Sequence, residues 1–139
     1  LADFGLDQMA DRVDFVQGDA TNLKPRFAGY DLILAANLLD RLHDPRRFLE
    51  TIHERLNPGG ILVLTSPYTW LAEFTAKENW LGGFRKDGEP CFTLDALREV
   101  LAPHFDALDA PRDVEFVIRE TRQKFQHSIA ELTAWERVR

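Results

Sequence analysis

Apolar and polar positions change rhythm several times along this chain, and each change marks an element. Ala2 to Arg12 is mostly polar with Phe4 and Met9 as candidate core contacts, which predicts a helix. Val13-Asp14-Phe15-Val16 alternates briefly and stops at Gly18-Asp19, which predicts a strand. Asn22 to Gly29 holds Pro25 and Gly29 and reads as a loop. Tyr30 to Ala36 is almost continuously apolar, the pattern of a strand buried on both faces of a parallel sheet. Asp44-Pro45 then offers an N-cap and a first helical proline. Phe48, Leu49, Ile52 and Leu56 recur at helical spacing, and Asn57-Pro58-Gly59-Gly60 stops that helix. Ile61 to Thr65 predicts a second buried strand. Strand, helix and strand with short joints make a βαβ unit and place the chain among α/β folds.

The second half is less regular. Ser66 to Pro90 is rich in aromatics and glycines and has no clear period; a segment this long after a sheet strand is expected to carry function. Thr93 is expected to cap a helix from Leu94 to Leu101. Phe105 to Asp109, Val114 to Glu120 and Ser128 to Val138 predict two or three strands, with 115–118 and 129–132 as the best pieces.

Composition narrows the classes. The 139 residues, 45% of them hydrophobic, suit one unit spanning 1–139. Lys plus Arg is 17 against 23 Asp plus Glu, a net charge of −6, so a nucleic-acid scaffold is disfavoured. Arg119, Arg122 and Lys124 are interleaved with Glu115 and Glu120, which suits a strand surface more than a basic arm. The single cysteine, Cys91, forms no internal disulfide and fits a reducing compartment. No apolar run approaches the roughly 20 residues of a membrane span. A cytoplasmic protein without membrane or nucleic-acid partners is expected. The chain starts at Leu1, so it is expected to begin downstream of the translation start.

Ligands of open α/β sheets bind at the carboxyl ends of the parallel strands. Three such ends are Gly18-Asp19-Ala20, Asn37-Leu38-Leu39-Asp40 and Ser66-Pro67-Tyr68. Asp19 either caps the turn after its strand or accepts a hydrogen bond from a purine amine, with the Ala20 amide donating to a ring nitrogen. Asn37 either contacts a ligand or ties down its own loop. Asp40 and Arg41 read as an exposed ion pair or solvated loop charges. Tyr68, Trp70 and Trp80 either wall a pocket for a flat or cationic ligand or cover the sheet edge. Glu73 and Glu78 are candidates to pair with a substrate ammonium. His127 is the best-placed acid–base candidate of the four histidines. No histidine or cysteine spacing suits a metal, so no metal site is expected. Gly59-Gly60 precedes its strand and is no phosphate loop.

The blocks Val-Asp-Phe-Val-Gln-Gly-Asp-Ala (13–20), Tyr-Asp-Leu-Ile-Leu-Ala-Ala-Asn-Leu-Leu-Asp-Arg-Leu (30–42), Asp44-Pro45 and Leu-Asn-Pro-Gly-Gly (56–60) resemble class I methyltransferases that use S-adenosylmethionine. The resemblance implies a Rossmann-like, mostly parallel sheet with an antiparallel carboxyl-terminal hairpin, here lacking the first two strands and the glycine-rich cofactor loop. It implies S-adenosylmethionine as cofactor, with Asp19 and Ala20 at the adenine and Asn37 beside the methionine portion. It implies that the chain is the carboxyl-terminal portion of such a domain. Thr-Ser-Pro-Tyr-Thr-Trp-Leu (65–71), Glu-Asn-Trp-Leu-Gly-Gly (78–83) and Ile-Arg-Glu-Thr-Arg-Gln-Lys-Phe-Gln-His-Ser (118–128) are similar to the mercaptohistidine N-methyltransferases of ovothiol biosynthesis. In that group the domain occurs either as a stand-alone protein or behind a histidine–cysteine sulfoxide synthase, so the resemblance leaves both arrangements open, the second with an upstream synthase domain as partner.

For such a substrate, a ring nitrogen must be deprotonated and aimed at the methyl group. Residue type suggests Tyr68, Trp70 and Trp80 around the imidazole, Arg119 or Arg122 on the carboxylate, Glu73 on the ammonium, and His127 or Tyr68 on the ring. Two competing expectations are a methyltransferase for another small molecule, such as a quinone or an amine, and a non-catalytic scaffold of the same fold. The sequence leaves oligomeric state open.

Overall fold

The computed structural model describes residues 7–139. Its centre is the βαβ unit. Strand β1 (Tyr30–Ala36) leads through a 3₁₀ turn to helix α1 (Pro45–Thr51), a second 3₁₀ turn (Ile52–Arg55) and strand β2 (Leu56–Ser66). Helix α1 starts where it does because the Asp44 carboxylate accepts from the Arg47 amide at 3.0 Å and Pro45 needs no amide partner. Phe48, Leu49, Ile52 and Leu56 are all buried on one side. β1 and β2 run parallel, with Leu32 opposite Ile61 and Ala36 opposite Thr65.

The helix expected to reach Leu56 ends earlier, and β2 begins at Leu56 instead of Ile61. The Asn57–Gly60 segment is absorbed as an irregularity in the ladder, since Tyr30 opposes Leu56 and Leu32 already opposes Ile61. Gly59 takes a φ of 78° there, and a Cβ on Gly60 would lie 2.8 Å from the Asn57 carbonyl oxygen.

Past β2, a 3₁₀ turn at Lys77–Asn79 leads to a hairpin of β3 (Phe84–Lys86) and β4 (Glu89–Cys91). Helix α2 (Thr93–Leu101) buries Leu97, Val100 and Leu101. Strands β5 (Phe105–Ala107), β6 (Arg112–Arg119) and β7 (Phe125–Arg137) complete the main sheet. Its order is β1-β2-β7-β5, with β6 also on β7. All pairings of β7 are antiparallel. The α/β, Rossmann-like class expected from the resemblance is thus the class found, with the antiparallel hairpin formed by β6 and β7.

That hairpin positions the site. Ser66, the last residue of β2, opposes Glu131, and β7 from Phe125 to Ala130 pairs only with β6. A two-stranded ribbon therefore projects past the carboxyl end of β2.

Four expectations need correction. Val13–Val16 forms no strand: no described segment pairs with it, and Phe15 is 94% exposed. The expected helix at the amino end is a 3₁₀ turn over Asp7–Arg12, and the part before Asp7 lies outside the described residues. β1 is not buried on both faces, because nothing described covers Leu32 and Leu34, which are 59% and 62% exposed. Thr93 is the first residue of α2 and not its cap. Its hydroxyl instead accepts from the Trp70 indole at 3.1 Å.

Candidate functional site at the carboxyl ends of the strands

The ends of β1 and β2 are tied together by one buried carboxylate. Asp40 is 1% exposed, so the expected solvated loop charge is wrong. Its Oδ1 accepts from the Ser66 hydroxyl at 3.0 Å, and its Oδ2 accepts from the Thr69 amide at 3.0 Å and from Arg41 at 3.2 Å. Arg41 also donates to the Thr69 carbonyl at 3.0 Å. The reason is topological: parallel neighbours deliver both loops to the same edge, where a short carboxylate can satisfy the amides of each.

Two residues flanking this knot have left-handed backbones, Asn37 at φ 50° and Tyr68 at φ 51°. Such a conformation is unfavourable for a tyrosine and persists only where its surroundings enforce it. Asn37 closes β1. Its amide donates to the Thr65 carbonyl at 2.8 Å and its Oδ1 accepts from the Thr65 hydroxyl at 3.1 Å. Its Nδ2 makes no hydrogen bond among the described residues and stays available. Asn37 thus ties down its own loop and keeps a free donor.

Asp19 precedes a 3₁₀ turn at Ala20–Asn22 and caps it. Its Oδ1 takes both the Thr21 amide, at 2.9 Å, and the Thr21 hydroxyl, at 2.7 Å. Those bonds, the hydroxyl's first, hold the carboxyl below its ordinary value. Oδ2 has no hydrogen-bond partner among the described residues. The Ala20 amide stands at the start of the turn, where N–H groups lack an intrahelical acceptor. His43 Nε2 lies 3.3 Å from the Thr21 hydroxyl and joins the loops after β1 and Gly18. Beside this loop, an apolar cavity of about 400 Å³ runs past Val16, Ala20, Leu23, Ile33 and Leu38.

Tyr68 is half-buried and donates to Glu131 Oε1 at 2.8 Å. Burial first, then the Glu131 carboxylate, pushes its phenol well above the ordinary tyrosine value. A phenol held protonated donates; it does not serve as a base at neutral pH.

The remaining candidates separate. Trp70 is 7% exposed and packs in the core. Trp80 is half-buried with its indole N–H on the Thr75 carbonyl at 2.9 Å, and both Glu73 and Glu78 are exposed. Arg119 and Arg122 are exposed, Arg119 donating to the Thr121 carbonyl at 3.0 Å. His127 Nε2 meets Glu115 Oε2 at 3.1 Å on the ribbon. His127 shares a face of β7 with Glu131, four residues on, so the two stand roughly 13 Å apart along the strand. His127 and Tyr68 therefore do not touch. No group of three or more candidate metal ligands occurs among the described residues. No described helix is long and apolar enough to cross a membrane.

Glu131, Phe92 and His43 were not singled out by pattern. Glu131 had a signal: it lies in step with Thr133 and Trp135, both buried, so period-2 alternation aims it inward. Phe92 and His43 had none.

Residues 4–62 match the family model described as a methyltransferase domain. The fold is similar to a structure solved for the conversion of a disulfide bond into a thioacetal group during echinomycin biosynthesis. That likeness has a TM-score of 0.61 at 19% identity, over 99% of this chain and 61% of the other. It is similar to the N-methyltransferase NodS from Bradyrhizobium japonicum in complex with S-adenosyl-L-homocysteine, at TM-score 0.53 and 18% identity, over 94% and 58% of the two chains. A third neighbour is an S-adenosylmethionine-dependent methyltransferase from Clostridium acetobutylicum, at TM-score 0.60 and 12% identity, over 99% and 70%. This chain thus spans 61% and 58% of the length of the first two. No curated protein matches the sequence. The likeness to these structures is one of fold, a Rossmann-like α/β sheet, and the methyltransferase-domain match covers residues 4–62.

Proposed function

We propose that this chain forms the acceptor side and part of the cofactor side of an S-adenosylmethionine-dependent methyltransferase acting on a small molecule. The observation that carries the reading is a set of polar atoms near the end of β1. Asp19 Oδ2, the Ala20 amide and Asn37 Nδ2 have no hydrogen-bond partner among the described residues, and the sheet is of the methyltransferase kind. These donors and acceptors fit the cofactor: Asp19 and Ala20 suit an adenine edge, the apolar wall beside Ala20 suits the flat base, and Asn37 suits the polar methionine end. When bound, the cofactor supplies an activated methyl group. The chain's own residues would orient the acceptor for in-line attack, exclude water and hold the proton released.

At the finer level, we read the acceptor as mercaptohistidine, methylated on a ring nitrogen, in a protein that carries a sulfoxide synthase domain upstream. That reading rests on the sequence blocks at 65–71, 78–83 and 118–128. On it, His127, fixed by Glu115, takes the ring proton. Tyr68 serves as a hydrogen-bond donor and positioning residue. Arg119 and Arg122 stand at the outer end of the ribbon, roughly 20 Å along β7 from Glu131, and do not reach an amino acid seated beside Tyr68, whereas Trp80 and Glu73 lie in the segment after β2. Trp70, enclosed in the core, supports this wall from behind.

Two measurements test the proposal. Calorimetric titration with S-adenosylhomocysteine should show binding that Asp19→Ala weakens about tenfold, the scale of one charge-assisted hydrogen bond. Incubation with S-adenosylmethionine and mercaptohistidine, followed by mass spectrometry, should show one added methyl group. Binding without methylation would remove the substrate and keep the class, and no binding at all would remove both.

A further inference from the structure

Between the strand edge and helix α2 lies a cleft of about 280 Å³ lined by Tyr68, Phe92, Thr93, Leu94, Asp95 and Glu131. It adjoins a second space of about 400 Å³ that shares Tyr68, Phe92 and Thr93 and extends along the β3–β4 hairpin. Two aromatic side chains of the shared wall are placed for a ligand. Phe92 is 63% exposed although it sits directly before a buried helix start. Tyr68 is turned into the cleft on a left-handed backbone.

The charge of the cleft is unbalanced. Asp95 is compensated by Arg98 at 3.3 Å, and Arg85, which borders the adjoining space and not the cleft itself, donates to the Gly88 carbonyl at 2.8 Å. Glu131 has no cationic partner among the described residues. Its Oε1 accepts from Tyr68, and its Oε2 has no hydrogen-bond partner there. The residue directly across the ladder is another carboxylate, Asp113. Like charges directly opposite each other on a sheet are unfavourable unless a cation offsets them. Tyr68 cannot supply one, because its phenol stays neutral.

We propose that this cleft seats the positively charged end of the methyl acceptor, a primary ammonium held by Glu131 Oε2 and flanked by the Tyr68 and Phe92 rings. The inference rests on the methyltransferase reading for the word acceptor; the cation site itself does not. It moves the ammonium from Glu73, which is exposed and borders no aromatic cleft, to Glu131. An ammonium donates a charge-assisted hydrogen bond to the carboxylate and is attracted by two ring faces. An acceptor of equal size but negative charge is rejected by Glu131 and Asp113 together.

The test uses two probes with the same ring and opposite charges, histamine and 3-(imidazol-4-yl)propionate. Each is titrated into the intact protein by calorimetry, with the Tyr68 and Phe92 ring protons followed by NMR. Histamine should bind and shift both rings, and the propionate should bind at least tenfold more weakly. Glu131→Gln keeps an oxygen for the Tyr68 hydroxyl, so the fold should hold by circular dichroism, yet histamine affinity should fall about tenfold or more. Glu131→Asp should retain part of it, and Phe92→Ala should weaken binding without changing the preference between probes. Equal affinity for the two probes, no histamine binding, or an unchanged affinity in Glu131→Gln would overturn the inference. S-adenosylhomocysteine titrated alongside separates the two readings. Cofactor binding without cation preference sinks the cleft alone, and cation preference without cofactor binding sinks the methyltransferase reading alone.

Discussion

Replacing Asp40 by alanine should destabilise the protein by about 2–4 kcal/mol, through one orphaned buried hydroxyl and the lost bonds to charged oxygen. The side chain is 1% exposed and accepts from three groups on two loops. Its loss strands the Ser66 hydroxyl, on a residue 2% exposed, whereas the Thr69 amide belongs to an exposed residue where water takes the carboxylate's place. Each orphaned buried donor costs about 1–3 kcal/mol. Arg41 contributes less, since its side chain is 38% exposed and water replaces its lost partner. Asp40→Asn should cost roughly 2 kcal/mol, because the amide keeps one oxygen for Ser66 while its NH₂ group faces the Thr69 donor. Arg41→Ala should fall below about 1 kcal/mol. Urea unfolding followed by tryptophan fluorescence measures all three against a total stability on the order of 5–15 kcal/mol. The order Asp40→Ala, then Asp40→Asn, then Arg41→Ala is the essential result. An Asp40→Ala protein within 1 kcal/mol of the parent would refute the claim that this carboxylate holds the two strand ends together.

Three further outcomes follow from the same geometry. Because the Tyr68 phenol is raised in the fold, the unfolded chain releases its proton first; stability should fall as pH rises above about 10, and less so in Tyr68→Phe, by urea midpoints across that range. His53 stacks on His104 at 3.6 Å, neither Nδ1 having a hydrogen-bond partner among the described residues, and burial, then His104, lowers the proton affinity of His53. The unfolded chain then binds more protons below the ordinary histidine value near 6.5, so stability should drop from pH 7 to pH 5, and the drop should shrink in His104→Phe, as thermal melts at each pH would show. Asn37→Val should cost about 1–3 kcal/mol through its φ of 50° alone, whereas Asn37→Gly should keep the backbone and lose only the Thr65 contact.

Which features could be read along the chain depends on whether their cause is local. The βαβ unit was legible because its signals are neighbours: the Tyr30–Ala36 and Ile61–Thr65 apolar runs, and Asp44-Pro45 at a helix start. The β3–β4 hairpin was equally local. Asp87-Gly88 takes positive φ at both residues, the commonest kind of two-residue turn, although the aromatic segment around it has no period. Val13–Val16 shows the opposite failure: the pattern is that of a strand, but a strand also needs an edge to pair with, and pattern cannot supply one. The candidate site lies beyond local signals altogether. Asp40 meets Ser66 across 26 positions, and Tyr68 meets Glu131 across 63. In sequence Asp40 is one charge beside Arg41, and Glu131 is one polar residue in an alternating strand. Only the parallel crossover that brings two loops to one edge, and the return of β7 beside β2, turn the first into a buried knot and the second into the Tyr68 hydroxyl's acceptor beside Phe92. Residue types therefore marked the strand ends, whereas what meets across them is written in the pairing register, where Ser66 opposite Glu131 decides what Tyr68 can reach.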